Sequence, residues 1–206
     1  AYREADSCIP ENLIDVDLLN ASKIYHTTSF ALSKNPARNT ILKGAEIASE
    51  LGLQLSIDLN YSEKIWPDRE EAARIIGQYL KYNPLVKVSN DDCHRYFGAH
   101  LSEKEVFEYF HNLGANTICL TKGKNGVSIS DKNVGVIHKE AIKIKEVHDA
   151  TGAGDAFWTG FLYAQINEKT LEQSVTIAQK LATIKLQNVG RLPDMIGLKK
   201  IINDLD

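Results

Sequence analysis

The sequence predicts an α/β fold, a mainly parallel β-sheet with helices on both faces. Short β-branched segments alternate with amphipathic helical segments along nearly the whole chain of 206 residues. This alternation is typical of parallel sheets, because each strand is joined to the next by a helix. The sequence contains no internal repeat, low-complexity segment or linker. We therefore expect a single α/β domain over residues 1–206.

The first part of the chain predicts strand, helix, strand and helix in that order. Residues 22–28 are short and β-branched, which predicts a strand. Asn35-Pro36 then supplies an N-cap and a first helical residue, and apolar residues follow at helical spacing until Gly52. Residues 53–59 predict the second strand, and residues 68–81 the second helix.

The middle of the chain repeats this order with clear end signals. Residues 85–89 predict a strand, and the short helix that follows stops at Gly98. Ser102 and Glu105 have the spacing of a capping box, which predicts a new helix. Residues 116–121 predict the next strand.

The last part predicts a hairpin and three helices. Residues 123–130 and 133–138 indicate a hairpin or two antiparallel strands. Apolar residues over 157–164 follow the spacing of an amphipathic helix, and residues 194–204 predict a final short helix. Between them, the pair Thr170 and Gln173 caps a helix. Its apolar face carries Leu171, Val175, Ala178 and Ala182.

Composition favours a soluble, cytoplasmic protein. The chain is 43% hydrophobic and 25% charged, and its formal net charge is −3. Without a long basic run, we expect no nucleic-acid partner and no membrane partner. There is no apolar stretch of membrane-spanning length and no signal peptide. The three cysteines are odd in number and far apart, which fits a reducing cytosol.

The stretch Asp149–Asp155, DATGAGD, is the strongest local candidate for a functional site. Its glycines let backbone N–H groups approach a ligand, and the helix behind adds the positive end of its dipole. Together these features suit an anion such as phosphate. Asp155 at the same place makes sense if it takes a proton from an attacking hydroxyl. The alternative is a capping turn in which Asp155 only stabilises the helix dipole, whereas a dinucleotide fingerprint fits poorly because its third glycine is missing.

Four stretches in chain order carry a more specific signal: SIDLNYSEKIWPD (56–68), LVKVSNDDCHRYFG (85–98), LTKGKNGV (120–127) and DATGAGDAFWTGF (149–161). They resemble the Asp-x-Asn, Lys-x-Ser/Asn-x-x-Glu, Thr-x-Gly-x-x-Gly and C-terminal signature motifs of the PfkB carbohydrate kinases, the ribokinase-like family. The resemblance covers nearly the whole chain. It implies a ribokinase-like fold and transfer of the ATP γ-phosphoryl group to a sugar hydroxyl, in a fructokinase-like enzyme.

The resemblance also implies roles for single residues. Asp155 matches the general base, and the N–H groups of Gly152, Ala153 and Gly154 match the anion hole for the transferred phosphoryl group. The residues that would border the nucleotide are Thr121, Gly123, Gly126 and Gln179. Gln179 stands where the family often has an asparagine near the adenine, and its alternative is a solvated helix position.

Two cation sites are implied. The family's Asn-x-x-Glu motif, linked to Mg²⁺, appears here as Ser89-x-x-Asp92, and Asp92 keeps the carboxylate on a shorter arm. The alternative for Asp92 is an ordinary charge at a helix N-terminus. Asp149 and Thr151 match positions that bind a monovalent cation such as K⁺ in some members. Arg191 departs from the family there, because a small residue usually follows the preceding glycine.

The substrate side of the site is less complete. Asn60 matches a sugar-binding position, and Tyr2-Arg3 resembles a substrate element near the end of the family's lid, with a frayed terminus as the alternative for Arg3. Ser62 stands where many sugar kinases have arginine. This departure argues against a substrate carboxylate bound there, as in 2-keto-3-deoxygluconate.

Members of the family begin with a glycine-rich substrate region and the strands of a lid, and nothing before Ala1 supplies them. We therefore expect this chain to be the C-terminal nucleotide-binding and catalytic part, with a homodimer possible for the full-length protein. On its own it is expected to phosphorylate no sugar at a useful rate. Two other hypotheses stay open: a nucleotide-binding fragment or regulatory homologue without turnover, and an NAD-linked enzyme.

Overall fold

The computed structural model describes residues 4–190, 192 and 197. These residues form two compact units. The first runs to Gly123 and includes Val127–His138, and the second contains Lys124–Gly126 and continues from Lys139. The single domain expected from the sequence stays a prediction. The helix predicted over 194–204 lies outside the described residues, apart from residue 197.

One sheet of six strands organises the first unit, and its strands lie side by side in chain order. They are β1 Ile24–Thr28, β2 Gln54–Asp58, β3 Leu85–Ser89, β4 Thr117–Thr121, β5 Val127–Asp131 and β6 Gly135–Lys139. β1 to β4 are parallel, and β5 runs antiparallel to β4. The mainly parallel sheet predicted from the sequence is therefore confirmed.

Seven α-helices complete the described part of the chain. The first unit contains α1 Val16–Asn20, α2 Ala37–Glu50, α3 Arg69–Leu80, α4 Asn90–Phe97 and α5 Glu103–Asn112. The second contains α6 Ala153–Ile166 and α7 Leu171–Leu186. Helix α1 was not predicted, because five residues are too few to show a helical period, although Asp15 caps it by accepting a hydrogen bond from the Leu18 N–H at 2.9 Å.

Capping residues define three of the helix ends predicted from the sequence. Ser102 and Glu105 form the capping box of α5, and Thr170 and Gln173 form that of α7. Gly98 ends α4 in the left-handed conformation with φ of 67°, which costs a glycine little. These three boundaries confirm the sequence prediction. The N-cap predicted at Asn35 is wrong by one residue, because Pro36 is the N-cap of α2 and Ala37 its first residue.

Both faces of the sheet are covered. Every residue from Leu55 to Asp58 and from Leu85 to Val88 is buried, although neighbouring side chains point to opposite faces. Such double burial is typical of parallel sheets with helices on both faces. Tyr79 of α3 ties the helix to the strands, because its hydroxyl is buried and donates to the Ser56 carbonyl oxygen at 3.0 Å.

The two helices of the second unit pack closely at Gly160. A Cβ added there would lie 2.9 Å from the Cα of Ala178 and 3.2 Å from the carbonyl oxygen of Ile177. Trp158 and Phe161 stack beside this contact, with ring centroids 5.0 Å apart. The apolar stripe predicted for α6 is thus buried against α7.

The described residues contain no helix that combines the length and the apolar character needed to cross a bilayer. The three cysteines carry free thiols. Cys8 is exposed, whereas Cys93 and Cys119 are buried, and burial raises the pKa of the Cys93 thiol to about 12.

Candidate active site

The parallel strands of the first unit bring several predicted residues to one edge. β2, β3 and β4 are parallel, so their carboxyl ends lie at the same edge of the sheet. There Ser89, the last residue of β3, pairs in register with Thr121, the last residue of β4. Ligands bind beyond this edge in open α/β sheets. The predicted site residues of this unit follow these strand ends: Asn60, Asp92, Thr121 and Gly123.

A buried ion pair lies at this edge. The Nζ of Lys87 on β3 is 2.6 Å from the Oδ2 of Asp58 on β2. The two side chains are only 6% and 4% exposed. Burial raises the pKa of Asp58, while the charge of Lys87 opposes that shift. The pair fixes the strand end from which the Asn60 loop departs.

Asn60 itself is exposed. Its N–H donates to the Oδ1 of Asp58 at 3.3 Å, and its own side-chain oxygen accepts a long hydrogen bond of 3.4 Å from the Phe30 N–H. This arrangement leaves Asn60 at the surface, as a substrate contact requires. Arg3, the other predicted substrate residue, lies outside the described residues.

Asp92 belongs to a capping box that the sequence analysis did not identify. Its Oδ2 accepts from the N–H and the hydroxyl of Ser89, at 3.1 and 2.6 Å, and caps α4. Its Oδ1 lies 2.7 Å from the guanidinium of Arg95. Asp92 is therefore a charged residue at the N-terminus of a helix, which was the alternative considered for it from the sequence. Its role in metal binding stays a prediction. Within the described range, no three His, Cys, Asp or Glu side chains cluster closely enough to hold a metal ion.

The backbone conformation of the predicted nucleotide loop favours glycine at two positions. Gly123 and Gly126 have φ of 55° and 84°, in the left-handed region. In the second unit, a Cβ on Gly126 would collide with the backbone of Lys139. Thr121 is half-buried at the end of β4. The geometry thus explains the glycine spacing, and contact with a nucleotide stays a prediction.

The second unit contains the turn in front of α6. Gly152 is the N-cap of this helix, with φ of 76° and no side-chain cap. The Ala153 N–H donates to the Ala150 carbonyl oxygen at 3.2 Å. Gly154 and Asp155 follow in the first turn and are exposed. The first N–H groups of a helix have no partner inside the helix, so an anion at this end meets donors and the positive end of the dipole.

Asp149 is held by three groups in the second unit. Its Oδ1 accepts from the Thr151 N–H at 2.9 Å. Its Oδ2 accepts from the Lys185 ammonium at 3.1 Å and from the Gly190 N–H at 3.2 Å. Hydrogen bonds from the Thr151 N–H and the Lys185 ammonium hold the pKa of this carboxyl well below its usual range. A lysine thus lies where the sequence predicted a monovalent cation, and Arg191 lies outside the described residues.

Gln179 is buried in α7, with 8% of its surface exposed. Its side-chain N–H donates to the Glu140 carbonyl oxygen at 2.7 Å. The alternative of a solvated helix position is therefore wrong. Gln179 fixes the segment that follows β6, and a role near the adenine stays a prediction.

Three charged residues of these sites were not singled out in the sequence analysis: Lys87, which belongs to the quoted Lys-x-Ser motif, Arg95 and Lys185. The signal for Lys185 was present, because it continues the apolar face of α7 three residues after Ala182. A lysine on a buried helix face needs a partner, and Asp149 is that partner. Six predicted residues of the second unit lie in the turn or next to it in sequence: Asp149, Thr151, Gly152, Ala153, Gly154 and Asp155. Gly126 and Gln179 instead adjoin the segment that follows β6.

Residues 2–195 match the sequence model of a family described as pfkB family carbohydrate kinase. An ATP-dependent 6-phosphofructokinase of Thermoanaerobacterium thermosaccharolyticum is 32% identical over 97% of this chain and 61% of its own length. Fructokinase-1 of Zea mays is 30% identical over 93% of this chain and 61% of its own length. The chain thus spans about three fifths of the curated relatives that it matches.

Solved structures agree with the fold. Aminoimidazole riboside kinase of Salmonella enterica, complexed with aminoimidazole riboside and an ATP analog, matches with a TM-score of 0.76 and 26% identity. The match covers 87% of this chain and 62% of that one. A candidate ribokinase II from E. coli, in complex with ATP and Mg²⁺, matches with a TM-score of 0.82 and 18% identity, over 95% of this chain and 62% of that one. The second likeness concerns the fold alone.

Proposed function

Because the chain belongs to the pfkB family of carbohydrate kinases, we propose that the protein transfers the γ-phosphoryl group of ATP to a sugar hydroxyl. The observation that carries this proposal is the exposed N-terminus of α6. There Gly152 supplies an N-cap without a side chain, and Asp155 presents a carboxylate in the first turn. The proposed reaction needs both at one place, since backbone donors stabilise the transferred phosphoryl group and a carboxylate accepts the proton of the hydroxyl.

In the proposed reaction, Asp155 accepts the proton of the attacking hydroxyl as its oxygen bonds to the γ-phosphorus and the bond to the bridging oxygen of ADP breaks. The N–H groups of Gly152, Ala153 and Gly154 stabilise the charge on the transferred group. The Ala153 N–H donates to Ala150 in this structure, so it must turn from that carbonyl to reach a phosphoryl oxygen.

We assign the nucleotide to Thr121, Gly123, Gly126 and Gln179. The support is their match to the family motif and the left-handed conformation of Gly123 and Gly126, since glycine without a side chain would let the backbone approach a ligand. The ATP analog bound to aminoimidazole riboside kinase supports the same nucleotide class.

Mg²⁺ would enter as part of the substrate, bound to the phosphates of ATP. Magnesium keeps several waters and takes one or two carboxylates besides the phosphates. Asp92 is the carboxylate that would meet it. Because its oxygens already bind Ser89 and Arg95, contact through a water fits Asp92 better than direct ligation.

We propose a fructose-type acceptor, since the named relatives phosphorylate, by their names, fructose or a fructose phosphate. Asn60 and Arg3 are the proposed contacts for it. A cytoplasmic location, with neither nucleic acid nor membrane as partner, is also part of the proposal. It is supported by the net charge of −3 and the three free thiols.

An assay of sugar-dependent ADP release tests the proposal. Because residues 1–206 alone are expected to be inactive, the purified full-length protein would receive ATP, MgCl₂ and in turn fructose, fructose 6-phosphate, ribose or no sugar, beside a calorimetric titration with ATP. Release that depends on one sugar supports the kinase. Binding of ATP without release under any condition would favour the second hypothesis, a nucleotide-binding homologue without turnover.

A further inference from the structure

Lys185 is a buried cation directly behind the proposed anion hole. It lies in the last turn of α7 and is 4% exposed. Its ammonium donates to the Oδ2 of Asp149 and to the Asn188 carbonyl oxygen, both at 3.1 Å. A Cβ placed on Gly152 would lie 3.7 Å from the Cε of Lys185. The lysine stem therefore runs along the turn that begins α6.

The carboxylate that Lys185 binds joins three segments of the second unit. Asp149 accepts from Thr151 within the turn, from Lys185 of α7 and from Gly190 beyond α7. Without a cation, the negative charge of Asp149 would stand close to the place proposed for the phosphoryl group. Lys185 neutralises this charge and fixes the turn in one position.

These contacts do not fit the K⁺ site that the family resemblance implies at Asp149 and Thr151. A monovalent cation needs oxygens that are not already turned toward a fixed positive charge. Here a carboxylate oxygen and a carbonyl oxygen both face the ammonium of Lys185. A second cation beside it would meet repulsion between like charges in a partly buried place.

We propose that Lys185 replaces the monovalent cation, so that phosphoryl transfer by this protein needs no K⁺. Lys185 is a positioning residue, because it holds Asp149 and the turn and does not touch the reacting atoms. An ammonium group and K⁺ carry the same charge and bind the same kinds of oxygen. Since the ammonium is tethered to the chain, its site is filled at every salt concentration. This inference rests on the proposed kinase function.

The first experiment compares salts on the unaltered protein. Sugar-dependent ADP release would be measured in KCl, NaCl and choline chloride at one ionic strength. We expect rates that agree within about twofold. Activation by K⁺ of about tenfold or more over the other two salts would overturn the proposal.

The second experiment removes the ammonium in two ways. Lys185→Ala leaves space, whereas Lys185→Met fills it with an uncharged chain of similar length. In both variants we expect kcat to fall at least about tenfold, with the KM for ATP changed less than about threefold. KCl or NH₄Cl should restore the alanine variant but not the methionine variant, and choline chloride should restore neither. Lys180→Ala, on the same helix, is the matched control and should behave like the unaltered protein in every salt.

Thermal unfolding gives a readout that does not need catalysis. The Tm of Lys185→Ala should rise in KCl relative to choline chloride, and the Tm of the unaltered protein should not. An unchanged kcat in Lys185→Ala, or a loss that neither K⁺ nor NH₄⁺ restores, would overturn the proposal. If the unaltered protein releases no ADP, the proposed function fails, and the Tm comparison still decides whether K⁺ can take the place of Lys185. If the alanine variant does not fold, the proposal is tested by the salt comparison on the unaltered protein and by the kcat of Lys185→Met.

Discussion

The ammonium of Lys87 lies 2.6 Å from the carboxylate of Asp58, and both side chains are almost completely buried. An ion pair in such a place costs desolvation on both sides, so its partners depend on each other far more than those of a surface pair. The contrast is visible in the same unit. Lys43 and Glu46 approach equally closely, at 2.6 Å, but are 50% and 45% exposed.

Lys87→Met should lower the free energy of unfolding by about 3–5 kcal/mol near neutral pH, because it leaves a buried carboxylate without a counter-charge. The double variant Asp58→Asn, Lys87→Met should recover most of that loss. Urea unfolding of the single and double variants measures both, with Lys43→Met as the exposed control expected to lose much less. Equal losses at the two lysines would contradict the argument.

The loss in Lys87→Met should also depend on pH. Burial raises the pKa of Asp58 and Lys87 opposes that shift, so removing Lys87 raises the pKa further. Some acids have a higher pKa in the folded state than in the unfolded state, where it is about 3.9. Such an acid contributes fully to the stability of the fold below its unfolded-state pKa. That contribution is lost as pH rises through the folded-state pKa. The deficit should therefore be smaller at pH 5 than at pH 8. A deficit that is equal at the two pH values would show that the carboxyl stays ionised, and one that grows toward acid would contradict the view that Lys87 lowers its pKa.

Asp155→Asn should lower kcat by about 10²–10⁴-fold, the usual contribution of a positioned general base, while Tm and the KM for ATP change little. Asp155 is exposed, so its replacement disturbs no core. Glu172→Gln is the matched control, since Glu172 is an exposed acid in the first turn of α7. If Asp155→Asn keeps more than about a tenth of kcat, a base role is excluded.

Two alanine variants separate backbone strain from crowding in the turn. Gly152 has φ of 76°, and a Cβ there meets only ordinary contacts, so Gly152→Ala should cost about 1–2 kcal/mol through strain. Gly154 lies inside α6, where alanine should not destabilise the helix. Gly154→Ala should therefore keep Tm and still lower kcat/KM, because its methyl group crowds the phosphoryl site. Unchanged kcat/KM would indicate that the turn is only a helix cap.

Gly160→Ala should destabilise the protein by about 1–3 kcal/mol, because overpacking forces α6 and α7 apart. Its added Cβ would lie 2.9 Å from the Cα of Ala178. Gly77→Ala in α3 is the matched control, since its Cβ would meet nothing nearer than the Cδ2 of Leu113 at 3.9 Å. That substitution should stabilise by about 0.5–1 kcal/mol, and chemical denaturation compares the two. If Gly160→Ala is as stable as the unaltered protein, α6 and α7 can move apart without loss of stability, and the prediction is wrong.

Most of the fold could be predicted from local signals. Strand β3, Leu85–Ser89, and the capping box at Ser102 were placed correctly, because a β-branched run and a capping pair depend on neighbours in sequence. The short helix α1 and the order of the strands could not be read in this way. A five-residue helix shows no period, and strand order is set by contacts between distant segments.

The candidate site was predictable only as a set of residue types. The glycines and the acid at 152–155 were singled out from the sequence, because their types and spacing suit an anion site and resemble a family motif, and their roles stay predictions. The partners of Asp92 and Asp149 were not found, because Arg95 and Lys185 are joined to them through helix geometry and tertiary packing. The buried side chain of Gln179 was ambiguous for the same reason, since burial is decided by what packs against α7.

β6 lies at one end of the strand order, and this position affects which part of the sheet should unfold locally first. β3 and β4 are flanked by strands on both sides, whereas β6 neighbours only β5 in the described part of the chain, and all its side chains are half-buried or exposed. Amide protons in the inner strands should therefore exchange with solvent only when the whole unit unfolds, and those of β6 through small local openings. The last residue of β6, Lys139, packs its backbone against Gly126. The loop proposed to receive the nucleotide thus borders the strand in which local opening is expected to be easiest.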